Sequence, residues 1–265
     1  MLRMFLRQRV LGLSDEGTED AIYDSRTARA FLEVDLSHDP VPDATTLLPF
    51  RKLLNTYGLG EQIFRTINAQ LEAEGLLLRK GPIVDATLIA AAPSTKNREK
   101  ARDPEMHSSK KGNQRDFGMK AHIGVDAASG LVHSMAVTSG SESDVAHVHE
   151  VLHGDEEIVL GDAGYTGVEK RAEHAGREVK WQIAERPSRL ARKVLEGSPA
   201  HEKLRRTETL KARMRALVEH PFHVLKCRFG HRKAGYRGLA KNAQQLYVAF
   251  GLANLLLVGR RCSTA

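Results

Sequence analysis

The spacing of apolar residues changes at Pro82, and this change limits the possible folds more than any other feature of the chain. Before it, apolar residues recur at helical spacing throughout residues 1–80. After it, residues 117–125 alternate between apolar and polar side chains, as a strand with one buried face does. The sequence therefore predicts an α/β fold with a helical N-terminal module at 1–80 and a larger domain at 81–265.

The larger domain is predicted to contain three strands, a helix and a fourth strand. The strands lie at 82–91, 117–125, 131–137 and 157–162, and the helix at 143–152. Residues 93–116 form a polar loop whose length is unusual for a structureless connection, which indicates function or disorder. A charged helix is predicted after Gly167, and a short strand at 179–184. The order β-β-β-α-β favours a fourth strand beside the first, after a right-handed crossover.

Two aspartates occupy equivalent places on the two strands that this order makes parallel neighbours. Asp85 lies in the first strand, and Asp162 ends the fourth, where residues 158–167 read IVLGDAGYTG. A carboxylate over the crevice at the carboxyl ends of buried strands costs desolvation free energy unless a cation or a reaction uses it. Both aspartates are therefore candidate site residues. Asp126 is the alternative to Asp85 as the first acid of the site. Its position in a turn is itself a sufficient reason for an aspartate there.

A third acid is predicted on a late helix that begins near Thr207 and is kinked by Pro221. On this helix Arg215, Glu219 and Lys226 lie within about 40° of one line, at ~100° per residue. Three acids from two adjacent strands and one packed helix suit two Mg²⁺ or Mn²⁺ ions and phosphoryl transfer. Acids also lie near strand ends in many α/β proteins, so the spacing alone is only moderately specific.

The positive charge is concentrated near the C-terminus. The net charge of the chain is +7, and residues 201–241 carry 12 Lys and Arg against 3 Asp and Glu, a local net charge of +9. This concentration predicts a polyanionic partner such as DNA, with a solvated helix face as the alternative. Four further residues are candidates for contact with DNA phosphates, unless they belong to a solvated loop and a wet strand face: Lys110, Lys111, Lys120 and His122.

A different motif points to a zinc protease. Residues 149–153 read HEVLH, which satisfies the HExxH pattern that supplies two zinc ligands and a general base from one helix. The extended pattern with a third ligand is missing, although Glu169 or Glu173 could be invoked. An amphipathic helix packed on the sheet is the alternative interpretation.

Cysteine usage and hydropathy exclude several other classes. Cys227 and Cys262 are far apart and form no CxxC pair, so neither a disulfide framework nor a zinc knuckle is predicted. Residues 1–13 contain too short an apolar run for a signal peptide. The apolar run at 246–258 is interrupted by Asn254 and is shorter than a membrane span, so it predicts a buried helix. We expect a cytoplasmic, nucleoid-associated protein without a membrane partner.

Three stretches of the chain resemble the bacterial insertion-sequence transposases with a DDE catalytic triad, in the fifth insertion-sequence family, which is related to the fourth. The stretches are residues 81–126, residues 161–167 (GDAGYTG) and residues 215–242. The most specific mark of the family is a pattern of Tyr, two residues, Arg, three residues, Glu, six residues and Lys. Arg215, Glu219 and Lys226 match it in register, and Ala212 stands at the Tyr position.

The resemblance implies a ribonuclease H-like fold, a mixed β-β-β-α-β-α sheet with helices on its faces, and a triad of Asp85, Asp162 and Glu219. It also implies two Mg²⁺ ions held by these three residues, with Mn²⁺ able to substitute, while Arg215 and Lys226 hold phosphate. The activity would be strand cleavage at transposon ends and transfer of the 3′-hydroxyl to target DNA. The expected partners are the terminal inverted repeats, target DNA and further copies of the chain in the DNA-bound state.

The beginning of the chain departs from the family, whose members usually carry more sequence before the position equivalent to Met1. The sequence therefore predicts a shortened N-terminal module, a region that in the family grips transposon ends. A catalytically impaired DNA-binding remnant is the corresponding alternative function.

Overall fold

The computed structural model describes residues 1–79, 81–186, 189 and 198–264, apart from the side chains of residue 111 and residues 262–264. Five helices precede the sheet, as the N-terminal spacing predicts. They are α1 (Leu2–Leu11), α2 (Asp15–Asp24), α3 (Arg26–Leu32), α4 (Leu47–Thr56) and α5 (Leu59–Ala73). Ser14 caps α2 as expected, because its Oγ accepts a hydrogen bond of 2.9 Å from the backbone N–H of Gly17.

Among the described residues, six strands form one mixed sheet. They are β1 (Ile83–Ala90), β2 (His107–Lys111), β3 (Gln114–Val125), β4 (Val132–Ser139), β5 (Ile158–Gly161) and β6 (Lys180–Ile183). The antiparallel strand β3 lies beside β1, and its other edge pairs with β2 and then β4. On the far side of β1, strands β5 and β6 run parallel to it. The predicted placement of the fourth principal strand beside the first is therefore confirmed.

Two predictions for the connections are wrong. The polar loop predicted at 93–116 contains β2, which pairs with the first residues of β3 around a turn with Gly112 at φ 62°. A positive φ suits glycine and favours a tight hairpin, so this turn allows the pairing. The charged helix predicted after Gly167 is replaced by two short 3₁₀ turns, at Val168–Lys170 and Ala172–His174.

The helices after the sheet depart from regular α geometry. Helix α6 spans Pro199–Arg215, a 3₁₀ turn follows at Ala216–Val218, and α7 covers Glu219–His223. A π-helical turn at Val224–Arg228 comes next. The predicted kink near Pro221 thus takes the form of three successive helix types, because proline cannot supply the N–H that a regular helix needs. The predicted helix after β4 is likewise a 3₁₀ helix, at Asp144–Val151.

The last helix, α8 (Leu239–Thr264), passes through the middle of the core. Its residues Leu246, Phe250 and Ala253 are fully buried, which confirms the predicted buried helix. Apolar residues of α1 and α5 belong to the same hydrophobic cluster as those of β1 and β3. No helix in the described part of the chain is long and apolar enough to cross a membrane.

Candidate active site

Asp85 and Asp162 lie side by side on neighbouring parallel strands. The register of β1 and β5 places Ile83 opposite Leu160, and each aspartate comes two residues further along its strand. Neighbouring strands lie about 4.8 Å apart, and residues two apart point to the same face. The structure therefore brings together the two acids that the sequence selected, at the carboxyl end of β5.

The ionised form of Asp85 is disfavoured by its surroundings. Burial raises its pKa to about 6, and the negative charge of Asp162 adds to this rise. A hydrogen bond of 2.8 Å from the backbone N–H of Ala86 and the guanidinium of Arg215 act in the opposite direction. Ionised Asp85 therefore gains from any further positive charge in the site.

The turn after β5 holds Asp162 in place. Its Oδ1 accepts a hydrogen bond of 2.7 Å from the backbone N–H of Gly164 at the start of a 3₁₀ turn. A Cβ on Gly164 would lie 2.8 Å from that same oxygen, so a larger residue would displace the carboxylate. The next residue, Tyr165, is buried, and burial raises the pKa of its phenol well above the ordinary value, with the charges of Asp85 and Asp162 adding to the rise. Tyr165 thus belongs to the buried cluster that also contains Val84 and Val159, close to the two aspartates in the chain.

Asp144 is a further acid near the pair, and the sequence reasoning did not select it. Its charge contributes to the raised pKa of both Asp85 and Tyr165. It forms an ion pair of 2.8 Å with the ammonium of Lys120, which also donates to the carbonyl oxygen of Glu142. The one signal for it in the sequence is its position as the first residue of the helix predicted after the third strand.

Glu219 does not join the aspartates in this structure. Its side chain is exposed, whereas Arg215 and Lys226 on the same run of helices are partly buried. A 3₁₀ residue advances by about 120° instead of 100°, so the turn at 216–218 rotates Glu219 by about 60° away from the regular spacing. Within the described residues, no three His, Cys, Asp or Glu side chains are close enough to hold one metal ion.

Lys226 is attached to the strand that carries Asp85. Its Nζ donates hydrogen bonds to Thr87 Oγ1 at 2.6 Å and to the carbonyl oxygen of Leu88 at 2.9 Å. Burial lowers the pKa of this ammonium. Lys226 therefore joins the π-helical turn to β1 and contributes positive charge on the active-site strand.

The four weaker candidates for DNA contact have different surroundings. Lys110 is exposed on β2, whereas the side chain of Lys111 lies outside the described residues. Lys120 is largely buried in its ion pair with Asp144. His122 is only 2% exposed, bonded to the hydroxyl of Thr138, and burial lowers its pKa to about 4. The face of β3 that the alternation predicts to be solvent-exposed is therefore covered at His122. A phosphate could reach this side chain only if His122 left the interior.

The HExxH residues do not form a zinc site in the described part of the chain. The 3₁₀ helix that carries His149 and Glu150 ends at Val151, so His153 lies beyond it. The ring of His153 instead packs against His133, with 4.2 Å between ring centroids. Two zinc ligands four residues apart need a regular α-helical turn to share one face, and this segment has none.

The fold and the acid pair together define the class of protein. It is a mixed α/β protein with two aspartates at adjacent parallel strands and a basic C-terminal region. A family model described as the transposase DDE domain matches residues 78–255, and another described as a transposase domain (DUF772) matches residues 1–53. No solved structure matches the chain. The chain belongs to the DDE transposase family, so its predicted identity as an insertion-sequence DDE transposase is confirmed.

Proposed function

We propose that this protein is a metal-dependent DNA transposase that cleaves a strand at each end of its element and transfers the 3′-hydroxyl to target DNA. The observation that carries the proposal is the pair Asp85 and Asp162 on adjacent parallel strands, in a chain of the DDE transposase family. We assign the sheet to the ribonuclease H-like class. Three antiparallel strands, then a helix and a parallel strand beside the first, agree with that assignment.

The two aspartates suit a divalent cation. Carboxylate oxygens are the ligands that Mg²⁺ and Mn²⁺ prefer. The raised pKa of Asp85 shows that its ionised form is poorly solvated and close to a like charge. When bound, a divalent cation would stabilise the negative charge that develops on the phosphate oxygens during displacement. Asp85 and Asp162 would hold one such ion, and a second ion would need an additional ligand.

We assign that additional ligand to Glu219. If residues 216–218 returned from 3₁₀ to α-helical geometry, Glu219 would turn by about 60° toward the line of Arg215. The charge of Arg215 already acts on Asp85 and lowers its pKa. Short 3₁₀ segments within helices often act as hinges. Glu219 would then complete the acid set, while Arg215 would hold the phosphate that carries the scissile bond.

Replacement of Asp162 tests the assignment directly. We expect Asp162→Ala to lower the rate of strand cleavage about a thousandfold or more, because several kcal/mol of charge stabilisation is lost. Cleavage would be measured in Mg²⁺ and in Mn²⁺ on a supercoiled plasmid that carries the DNA flanking the gene. Glu157→Ala is the matched control, since Glu157 is exposed just before the other end of β5. Undiminished cleavage by Asp162→Ala would disprove the assignment.

A catalytically impaired DNA-binding protein is the second candidate. The exposed position of Glu219, outside the acid pair, favours it. It predicts salt-sensitive DNA binding without cleavage in either metal. Cleavage by the unmodified protein would exclude it, and cleavage without joining of the 3′-end to target DNA would indicate a hydrolytic nuclease.

A further inference from the structure

Helix α6 is unusual because none of its 17 residues is buried. It carries six Lys and Arg against two Asp and Glu, a net charge of +4. A helix of this composition gains little from apolar burial, and its helical propensity alone is marginal at this length. Its stability must therefore come from contacts on one side, called here the supported side. The other side, called the outer side, is exposed to solvent.

The supported side is held by polar contacts to the end of β6. Lys211 donates a hydrogen bond of 3.2 Å to the carbonyl oxygen of Ile183 and forms an ion pair of 2.8 Å with Glu208. Glu208 in turn accepts a hydrogen bond of 3.0 Å from the backbone N–H of Glu185. The half-buried residues recur at spacings of three and four: His201, Leu204, Glu208, Lys211 and Arg215. These contacts join the supported side of the helix to the end of β6.

The outer side presents Arg206, Thr209, Leu210 and Arg213, at positions i, i+3, i+4 and i+7. Leu210 is 59% exposed between the two arginines. Arg206 approaches Glu202 at 3.9 Å, but both side chains are highly exposed, so this pair contributes little. Arg213 forms no ion pair with any described residue. The outer side of α6 therefore presents two available guanidinium groups about 10 Å apart along the helix axis.

Helix α6 also leads into the candidate active site. It ends at Arg215, whose guanidinium acts on Asp85 beside Asp162. The outer side of α6 therefore ends at Arg213, two residues before the residue that acts on Asp85. Positive charge on this side complements a polyanion, and the major groove of DNA, about 12 Å wide, admits an α-helix.

We propose that the outer side of α6 binds duplex DNA next to the cleavage position, with Arg206 and Arg213 on backbone phosphates and Leu210 between them over the groove. The proposal rests on the proposed function and adds a surface to it. Arginine forms bidentate contacts with phosphate, and such contacts position the duplex without reading its sequence. This surface would set the direction in which DNA enters the active site.

The salt dependence of DNA binding tests the surface. Affinity for a labelled random-sequence duplex would be measured in EDTA between about 50 and 200 mM salt, so that cleavage does not enter. The slope of log affinity against log salt is negative, and each lost phosphate contact makes it less negative by about 0.9. For Arg206→Gln/Arg213→Gln we expect a slope less negative by about 1.8. For Arg206→Lys/Arg213→Lys we expect the slope of the unmodified protein.

Lys180→Gln is the control, since Lys180 is exposed at the start of β6, at the opposite end of the sheet from Asp162. Its slope should be that of the unmodified protein. An unchanged slope in the Gln double variant would overturn the proposed surface while leaving the function intact. An unmodified protein that binds no DNA would overturn both. If the Gln variant changed the sedimentation of the DNA-free protein but not the slope, α6 would be an interface between protein copies.

Discussion

At the scale of single residues, burial and ionisation oppose each other at Asp85, because burial disfavours the charged carboxylate. Burial raises the pKa of Asp85 to about 6, while a hydrogen bond from Ala86 and the guanidinium of Arg215 favour its ionised form. A bound cation would remove the conflict by neutralising Asp85 and Asp162 together. The free energy that burial costs the ionised form is thus recovered when the ligand binds.

This conflict predicts a pH-dependent affinity for metal. Asp85 becomes protonated as the pH falls through about 6, so Mn²⁺ affinity should decrease by up to tenfold per pH unit below that value. Calorimetric titration with Mn²⁺ at a series of pH values measures the effect. Asp85→Asn should bind weakly at every pH and show no step near 6. Arg215→Gln should move the step to higher pH, because Arg215 opposes the rise in the pKa. A constant affinity across this range would contradict the assignment of Asp85 as a ligand.

At the scale of secondary-structure elements, the pairing of β1 with β3 positions Asp85. The two strands pair along the whole length of β1, from Ile83 opposite Val125 to Ala90 opposite Gly118. Gly118 is required for this approach, because a Cβ there would lie 2.1 Å from the carbonyl oxygen of Ile89. The strand that carries the first aspartate therefore depends on a glycine in its neighbour.

Gly118→Ala should lower the stability of the fold. The added methyl group would push β1 and β3 apart, at a cost of about 1–3 kcal/mol. For a chain of this size, that cost corresponds to a fall in the thermal midpoint of roughly 2–4 °C per kcal/mol, measured by circular dichroism. Gly259→Ala is the comparison, since a Cβ there meets nothing within 4 Å and its helix favours alanine. Equal midpoints for the two variants would show that β1 and β3 can separate freely.

At the scale of the whole molecule, buried asparagines join the N-terminal helices to the sheet. Asn254 of α8 donates to Asn68 of α5 at 2.9 Å and to the carbonyl oxygen of Val132 in β4 at 2.7 Å. Its Oδ1 accepts from the backbone N–H of Val132 at 2.9 Å. Because α8 packs against both parts, residues 1–79 and the sheet should unfold together, even though a domain boundary near residue 80 is predicted from the sequence.

Equilibrium unfolding in urea tests this coupling. We expect coincident transitions in helical circular dichroism and in the fluorescence of Trp181, the single tryptophan, which lies in β6. Asn254→Ala should destabilise both transitions by about 2–4 kcal/mol, because it leaves buried polar groups of Val132 and Asn68 without partners. Two separate transitions in the unmodified protein would instead support independent N-terminal and catalytic domains.

Most of the sheet could be predicted because strand alternation is a local property. Strands β1, β3, β4 and β5 begin and end within a few residues of their predicted positions, and β5 lies beside β1 as expected. Strand β2 was missed because its residues, HSSKK, are polar on both faces. The alternation in β3 predicts a solvent-exposed position for His122, because alternation cannot show what covers a strand. Here the 3₁₀ helix 144–151 covers it, with His147 5.1 Å from its ring.

The sequence by itself determined the family, the order of β1, β3, β4 and β5, and the pair Asp85 and Asp162, because these follow from local spacing and from motifs within single elements. Only the tertiary structure decided the exposure of Glu219, the third acid of the predicted triad. Val218 and Leu225 pack against the core in the 3₁₀ and π turns on either side of α7, while Glu219 at the start of α7 is exposed. The ionisation of Asp85 was also decided there, since it depends on burial and on charges brought in from distant parts of the chain.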